Sequence, residues 1–248
     1  MRRVSRPMLP ERAQTYLDRR QSSANERLAP GMPDIEREWK TARQTKALKT
    51  ALSALQRMMG DRQRCMYCVD SHGSDIEHFR PKAGFPEQIY LWPNMLLCCS
   101  ECGRFKGSQF PMMNGQPLLI DPTAEDPWQH LDFDPDTGNL TARFDLHSND
   151  WSAKGAHTVQ VLQLDRREAM AAGYVNTYQR LAGIVRTSIA SLRGGAMTAP
   201  ALLAALLDAD DHGLLAWCFN GGGQEFKPFL ELRHQYPQAW EYCRTAVV

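Results

Sequence analysis

Cys65-Met-Tyr-Cys68, Asp75-Ile-Glu77-His78-Phe-Arg80-Pro-Lys82, Trp92-Pro-Asn94 and Cys99-Ser-Glu-Cys102-Gly103-Arg104-Phe-Lys106 follow one another within 42 residues. Two C-x-x-C pairs bracket a carboxylate–histidine pair and an asparagine, and 30 residues separate Cys68 from Cys99. Four thiolates in paired knuckles suit Zn²⁺, which is redox-inert and prefers tetrahedral sulfur coordination. The spacing therefore predicts a structural zinc on Cys65, Cys68, Cys99 and Cys102. Cys98 competes with Cys99, and the two-residue spacing favours Cys99. Five of the seven cysteines lie between Cys65 and Cys102, and such clustering in a reducing compartment points to metal rather than disulfides. Cys218 and Cys243 read as ordinary core or surface thiols.

The bracketed residues have the chemistry of phosphodiester hydrolysis. That reaction must deprotonate water, offset charge on a pentavalent phosphorus and stabilise a leaving oxyanion. A histidine can do the first and a hard divalent metal the other two. His78 is the candidate general base. Glu77 and Asn94 are the candidate ligands of Mg²⁺ or Mn²⁺, with Asp75 in reserve, because Mg²⁺ takes oxygen donors and keeps several waters. On a strand, Asp75 and Glu77 share one face and His78 takes the other, so convergence requires a strand end or bulge at Glu77–His78. Arg80, Lys82 and Arg104 are candidate phosphate contacts. Lys106, one helical turn after Cys102, joins the candidate catalytic set and is a further candidate phosphate contact. Taken singly, each has a plainer reading: a surface acid–histidine pair, an Asn helix cap, solvated cations. Their shared position between the knuckles carries the argument.

These residues resemble the HNH endonuclease family, whose ββα-metal core wraps a hairpin and a helix around one ion. In its cysteine-bearing branch an acid–His pair lies between two knuckles and an Asn precedes the second. A His or Asn plus a Lys follow the last cysteine. Glu77-His78, Asn94 and Lys106 match. Two positions depart: Glu77 stands where Asp is usual, and Gly103 stands where His or Asn is expected, so the signature lacks its third letter and another residue would have to supply the third ligand or water-orienting group. E-H-F-R-P-K, Y-L-W-P-N-M-L-L, K-G-S-Q-F-P and L-L-I-D-P are further similar to the HNH subunits of Septu-type and retron-associated anti-phage systems. The likeness continues weakly through H-T-V-Q-V-L-Q-L-D-R-R-E-A-M. It implies a nuclease acting on DNA more than RNA, beside an ABC-type ATPase partner. A zinc-bearing nucleic-acid or protein-binding subunit that has lost catalysis is the alternative, and Gly103 is its best support.

Outside this module the chain reads as α+β and mostly helical. Residues 1–60 form a basic helical segment, 61–116 the knuckle module, and 117–248 short strands followed by a helical scaffold or ATPase-docking region. Residues 1–64 carry 15 Lys+Arg against 7 Asp+Glu, net +8; the other 184 carry 14 against 21, net −7. The basic part suits a polyanion or is a solvated helix face. The opening M-R-R-V-S-R-P-M-L-P has no apolar core after its basic residues, so it does not read as a secretory signal. The longest apolar run, Ala201–Leu207, is far too short to span a bilayer. The expected compartment is the cytosol, with no membrane partner.

Helical spacing predicts one helix from a Pro33-Asp34 start, capped by Asp34, to about Met59, with Gly60 as its stop. L-L-I-D-P reads as a short strand. H-L-D-F-D and N-L-T-A-R-F read as a hairpin turning at Pro135–Gly138. Ala156–Leu192 is helical with a break near Leu164-Asp165. Ala199–Leu207 and Leu214–Phe219 read as buried helical pieces, and Phe226–Thr245 as a last helix interrupted by Pro237. His147, His157, His212 and His234 are scattered and read as ordinary surface or core histidines.

Overall fold

A computed structural model describes residues 1–28, 35–146 and 148–247. The chain divides into two compact units: Val4–Thr123, and Met1–Arg3 with Ala124–Val248. The Pro33-Asp34 helix start and His147 fall outside the described residues.

In the first unit, α1 (Glu11–Leu28) buries Ala13, Leu17, Gln21 and Ala24, a single helical face. Then follow α2 (Ile35–Ala42) and α3 (Lys46–Met58). The expected single helix is thus broken between Ala42 and Lys46. Thr45 supplies the reason. Its hydroxyl donates to Ala42 O (2.7 Å) and accepts from Leu48 N–H (3.5 Å), so the side chain ends one helix and caps the next. Leu48, Ala51 and Leu55 are the buried face of α3, which packs on α1 and on β2 (Met95–Cys98).

Strand β1 (Asp75–His78) pairs antiparallel with β2 in the register Asp75↔Cys98, Ile76↔Leu97, Glu77↔Leu96 and His78↔Met95. β1 alternates, burying Ile76 and His78, whereas all four residues of β2 are buried. β2 runs directly into α4 (Ser100–Lys106), and β3 (Met112–Met113) pairs with β4 (Gln116–Pro117) just beyond. The expected L-L-I-D-P strand does not form. Leu118–Ile120 are buried, but Leu118 N–H bonds Pro111 O and Asp121 Oδ1 accepts from Thr123 N–H, turning the chain away from a ladder.

In the second unit, β5 (Leu131–Phe133) and β6 (Leu140–Ala142) make the expected hairpin. Asp134 closes its turn, accepting from Asp136 N–H (3.0 Å) and the Thr137 hydroxyl (2.6 Å). Gly138 is required twice: φ is +77°, and a Cβ there would lie 2.1 Å from Ala171 O. A smaller hairpin, β7 (Phe144–Asp145) with β8 (Asp150–Trp151), leads into α5 (Ala153–Leu162). The break falls where expected, at Gln163–Arg167, before α6 (Glu168–Arg193). α7 (Ala199–Ala209), α8 (Leu215–Asn220), α9 (Phe229–Gln235) and α10 (Pro237–Ala246) complete the unit. Pro237 ends one helix by starting another, at the position where its missing N–H costs nothing. Phe133 packs edge-on against Trp217 at 5.1 Å, and Trp217 Nε1–H donates to Asp132 Oδ1. Cys218 and Cys243 lie wholly in this core. Among the described residues no helix is long and apolar enough to cross a membrane.

Candidate metal centre

The first knuckle is a tight reversal: Cys65 N–H donates to Ser71 O and Val69 N–H to Cys65 O, with Val69 at φ +47°. The second begins at the cap of α4, where Cys99 Sγ accepts from Cys102 N–H at 3.4 Å. Met66 N–H reaches Leu97 O on β2, tying the two knuckles together. The sulfurs of Cys65, Cys68, Cys99 and Cys102 all lie within 4.8 Å of one another, and those of Cys68 and Cys99 are 3.9 Å apart. A tetrahedron with Zn–S bonds of about 2.3 Å has edges of roughly 3.8 Å, so the donor set fits zinc. Cys98 is not one of these four, and its Sγ donates to Cys99 O. Burial pushes the Cys65 thiol up, while hydrogen bonds from Cys102 and Cys65 hold Cys68 well below an ordinary thiol. Four crowded thiolates need a cation among them, and a bound metal supplies it.

Beside this cluster, the regular β1–β2 register continues through His78↔Met95 without a bulge. Glu77 and His78 therefore remain on opposite faces. His78 is 2% exposed, and its Nε2 lies 2.9 Å from Ile89 O. A carbonyl only accepts, so Nε2 carries the proton and Nδ1 the lone pair. Its ring meets Trp39 of α2 edge-on at 4.4 Å. Burial, with the positive charges of Lys82 and Lys106, lowers the imidazole pKa to about 3, against the pull of the Ile89 carbonyl. His78 is neutral across the physiological range.

Lys106 is fully buried, so it is no surface phosphate contact. Its ammonium donates to Glu77 Oε1 (2.8 Å) and to His78 O (2.7 Å), linking side chain and backbone of the acid–His pair. The other Glu77 oxygen faces Gly103: a Cβ there would lie 3.8 Å from Oε2 and 3.8 Å from Cys98 Sγ. Asn94 does not converge on Glu77. Its Oδ1 accepts from Arg80 N–H (2.7 Å), and its Nδ2 donates to Arg80 O (3.1 Å) and Gln88 O (3.0 Å). The side chain braces the loop that carries Ile89. Asp75 pairs with Arg43 at 3.2 Å. The Arg80 guanidinium lies over both Phe85 and Phe110, 5.2 and 5.3 Å from their centroids, while the two rings meet each other edge-on. Lys82 lies 3.5 Å from Glu36, and Arg104 folds over its neighbour Phe105.

Two features escaped the sequence reading. The Tyr67 hydroxyl, inside the first knuckle, is buried with no hydrogen-bond partner among the described residues, and burial followed by the charge of Glu77 pushes its pKa well up. In the second unit His130 bridges the Ser152 hydroxyl (3.0 Å) and Glu125 (3.2 Å), and Lys154 shares that carboxylate. Neither contact has a local sequence signature.

Fold and site together define a mostly helical protein with small sheets and a buried four-cysteine cluster able to hold a metal such as zinc. No protein-family profile matches the chain. It is similar to two proteins called Septu protein PtuB. One, from Bacillus mycoides (strain KBAB4), is 31% identical over a match covering 42% of this chain and 44% of the relative. The other, from Bacillus thuringiensis, is 27% identical, with 43% of this chain and 38% of the relative covered. The chain thus spans less than half the length of the relatives it matches, and over that stretch it is related to a Septu-type protein.

Proposed function

We propose that the chain is a metal-dependent endonuclease of the HNH kind, hydrolysing phosphodiester bonds of DNA in preference to RNA. In this reading it is the nuclease component of a bacterial, cytoplasmic anti-phage system of the Septu type and acts with an ABC-type ATPase. The observation that carries the reading is the state of His78. With Nε2–H committed to Ile89 O, the imidazole keeps Nδ1 as its proton acceptor; burial, which lowers its pKa to about 3, leaves it a weak base until the site opens to water, since an effective general base titrates near the working pH. It sits on a two-stranded antiparallel pair that runs into a short helix, an arrangement that supports a ββα-metal core. The likeness to the two PtuB proteins supports the defence context and a partner within it.

The four-cysteine zinc is structural in this reading. A catalytic Mg²⁺ or Mn²⁺ would be held by the Glu77 carboxylate and water, and bound there it offsets phosphoryl and leaving-group charge. Glu77 fits such an ion: it is one-fifth exposed, and Gly103 leaves space beside Oε2. Asn94 fits the task less well as a ligand than as the brace that holds Ile89 O against His78.

The test is plasmid DNA with Mg²⁺ or Mn²⁺, with and without the ATPase, beside His78→Ala. Cleavage that requires both metal and His78 supports the reading; undiminished cleavage by His78→Ala sinks it. A second reading, a zinc-bearing binding subunit without catalysis, is favoured by Gly103 and by the Lys106–Glu77 pair. It predicts salt-dependent nucleic-acid binding and no cleavage in any arm.

A further inference from the structure

We infer that α2 is an autoinhibitory strap across the acid–His pair, an inference that rests on the nuclease reading of that site. Three contacts run from this helix and its immediate end to the candidate machinery. Trp39 lies edge-on over the His78 ring at 4.4 Å and leaves the imidazole 2% exposed. Glu36 stands 3.5 Å from the Lys82 ammonium. Arg43, just past the helix, holds Asp75 at 3.2 Å. An aromatic ring thus covers the base, a carboxylate stands where a substrate phosphate would pair with Lys82, and a guanidinium takes the carboxylate nearest Glu77 on its face. With this helix seated, a phosphodiester has no path to Nδ1 of a histidine so covered.

The attachment is built to be lifted. α2 is eight residues long and buries two side chains, Trp39 and Ala42. Ion pairs at the solvent edge also hold it: the Glu36 side chain is 74% exposed against 21% for Lys82, Arg43 and Asp75 are about half exposed, and Arg27–Glu38, 44% and 24% exposed, ties the helix to α1. Exposed pairs contribute little and weaken with salt. The floor beneath is firmer. Tyr90, 6.0 Å from Trp39, is 1% exposed and donates its N–H to Gln21 Oε1, and Ile89 O stays fixed by the Asn94 brace. Lifting α2 would therefore bare His78 without unmaking the hairpin or the cysteine cluster. A polyanion competing for Lys82, or a partner competing for the Trp39 face, would shift the strap toward its open state.

The experiment uses the full-length, zinc-loaded protein and diethyl pyrocarbonate, which modifies accessible neutral imidazoles. Peptide mass mapping follows His78, with exposed His234 as the internal reference. Trp39→Ala is expected to raise the His78 modification rate at least ~10-fold, about 1.4 kcal/mol in the opening equilibrium. Glu36→Gln, an exposed change that leaves the core intact, is expected to raise it about two- to fivefold. Zinc content and thermal melts establish that each variant is folded; if Trp39→Ala does not fold, Glu36→Gln decides alone. Wild-type protection of His78 in both folded variants overturns the inference. Faster modification with slower cleavage also overturns it, because Trp39 is then a positioning residue. Faster modification with no cleavage in any protein keeps the strap and removes the nuclease reading instead.

Discussion

Replacing Lys106 by Met keeps the volume of a wholly buried side chain and deletes its charge. The ammonium donates to Glu77 Oε1 at 2.8 Å and His78 O at 2.7 Å. Removing one member of a buried, hydrogen-bonded pair costs about 3–5 kcal/mol, mostly because the other is left without its partner. Here Glu77 keeps one-fifth of its side-chain surface in water, which places the loss near the lower end. The orphaned His78 carbonyl adds about 1 kcal/mol, and the apolar contacts Met restores offset a similar amount. The expected loss is about 3 kcal/mol. The unit containing the pair has 120 residues, from Val4 to Thr123, and at that size each kcal/mol moves the midpoint by about 3–4 °C. Circular dichroism should then show the first thermal transition falling by ~10 °C. Glu77→Gln in the same background removes the stranded charge and should recover about 1–2 kcal/mol, a coupling a double-mutant cycle reads directly. A drop smaller than about 3 °C, or a cycle with no coupling, would refute the claim that this pair holds the acid–His strand to α4.

Four thiols within 4.8 Å of one another predict about one zinc per chain by elemental analysis; Cys99→Ser should lose it and Cys98→Ser keep it, and the reverse pattern would move the ligand. Chelation should unfold the knuckle module, since metal-binding energy is folding energy at such sites; an unchanged melt in strong chelator counts against that. Asn94→Ala deletes three hydrogen bonds at about 1 kcal/mol each, so a loss of roughly 2–4 kcal/mol is expected by urea titration. Gly103→Asn puts its Cβ in ordinary van der Waals contact with Glu77 Oε2 and Cys98 Sγ, 3.8 Å from each, and should lower the Mn²⁺ concentration needed for cleavage; no change would argue against an ion beside Glu77.

The knuckles were legible because a metal site writes its geometry as local spacing: two C-x-x-C pairs remain two ligand pairs whatever fold lies between them. The β5–β6 hairpin was legible for a similar reason, since Asp134 and Gly138 set the turn with their own side chain and φ. The break at Ala42–Thr45 was not, because Arg43, Gln44 and Thr45 are tolerable helix residues one by one. Only the choice of Thr45 to bond Ala42 O and Leu48 N–H decides it. Leu118–Ile120 are apolar enough for a strand, but a strand needs a partner edge, which sequence does not display.

The candidate site divides along the same line. Residue types at Glu77, His78, Asn94 and Lys106 state which chemistry is affordable, but strand alternation is what assigns their tasks. Because β1 pairs without a bulge, Glu77 looks toward Lys106 of α4 and the His78 ring takes the other face, toward Trp39 of α2. One face then carries the carboxylate, Gly103 and the buried ammonium; the other carries the imidazole, Ile89 O and the Trp39 cover. An ion beside Glu77 and a base at His78 can serve one phosphate only where the strand ends, at the Phe79–Arg80 turn. That is the segment Asn94 grips by both Arg80 backbone groups. The asparagine that reads as a ligand in sequence thus acts in space on the chain joining the two faces, and its removal should disturb the relation between acid and base before it disturbs either group.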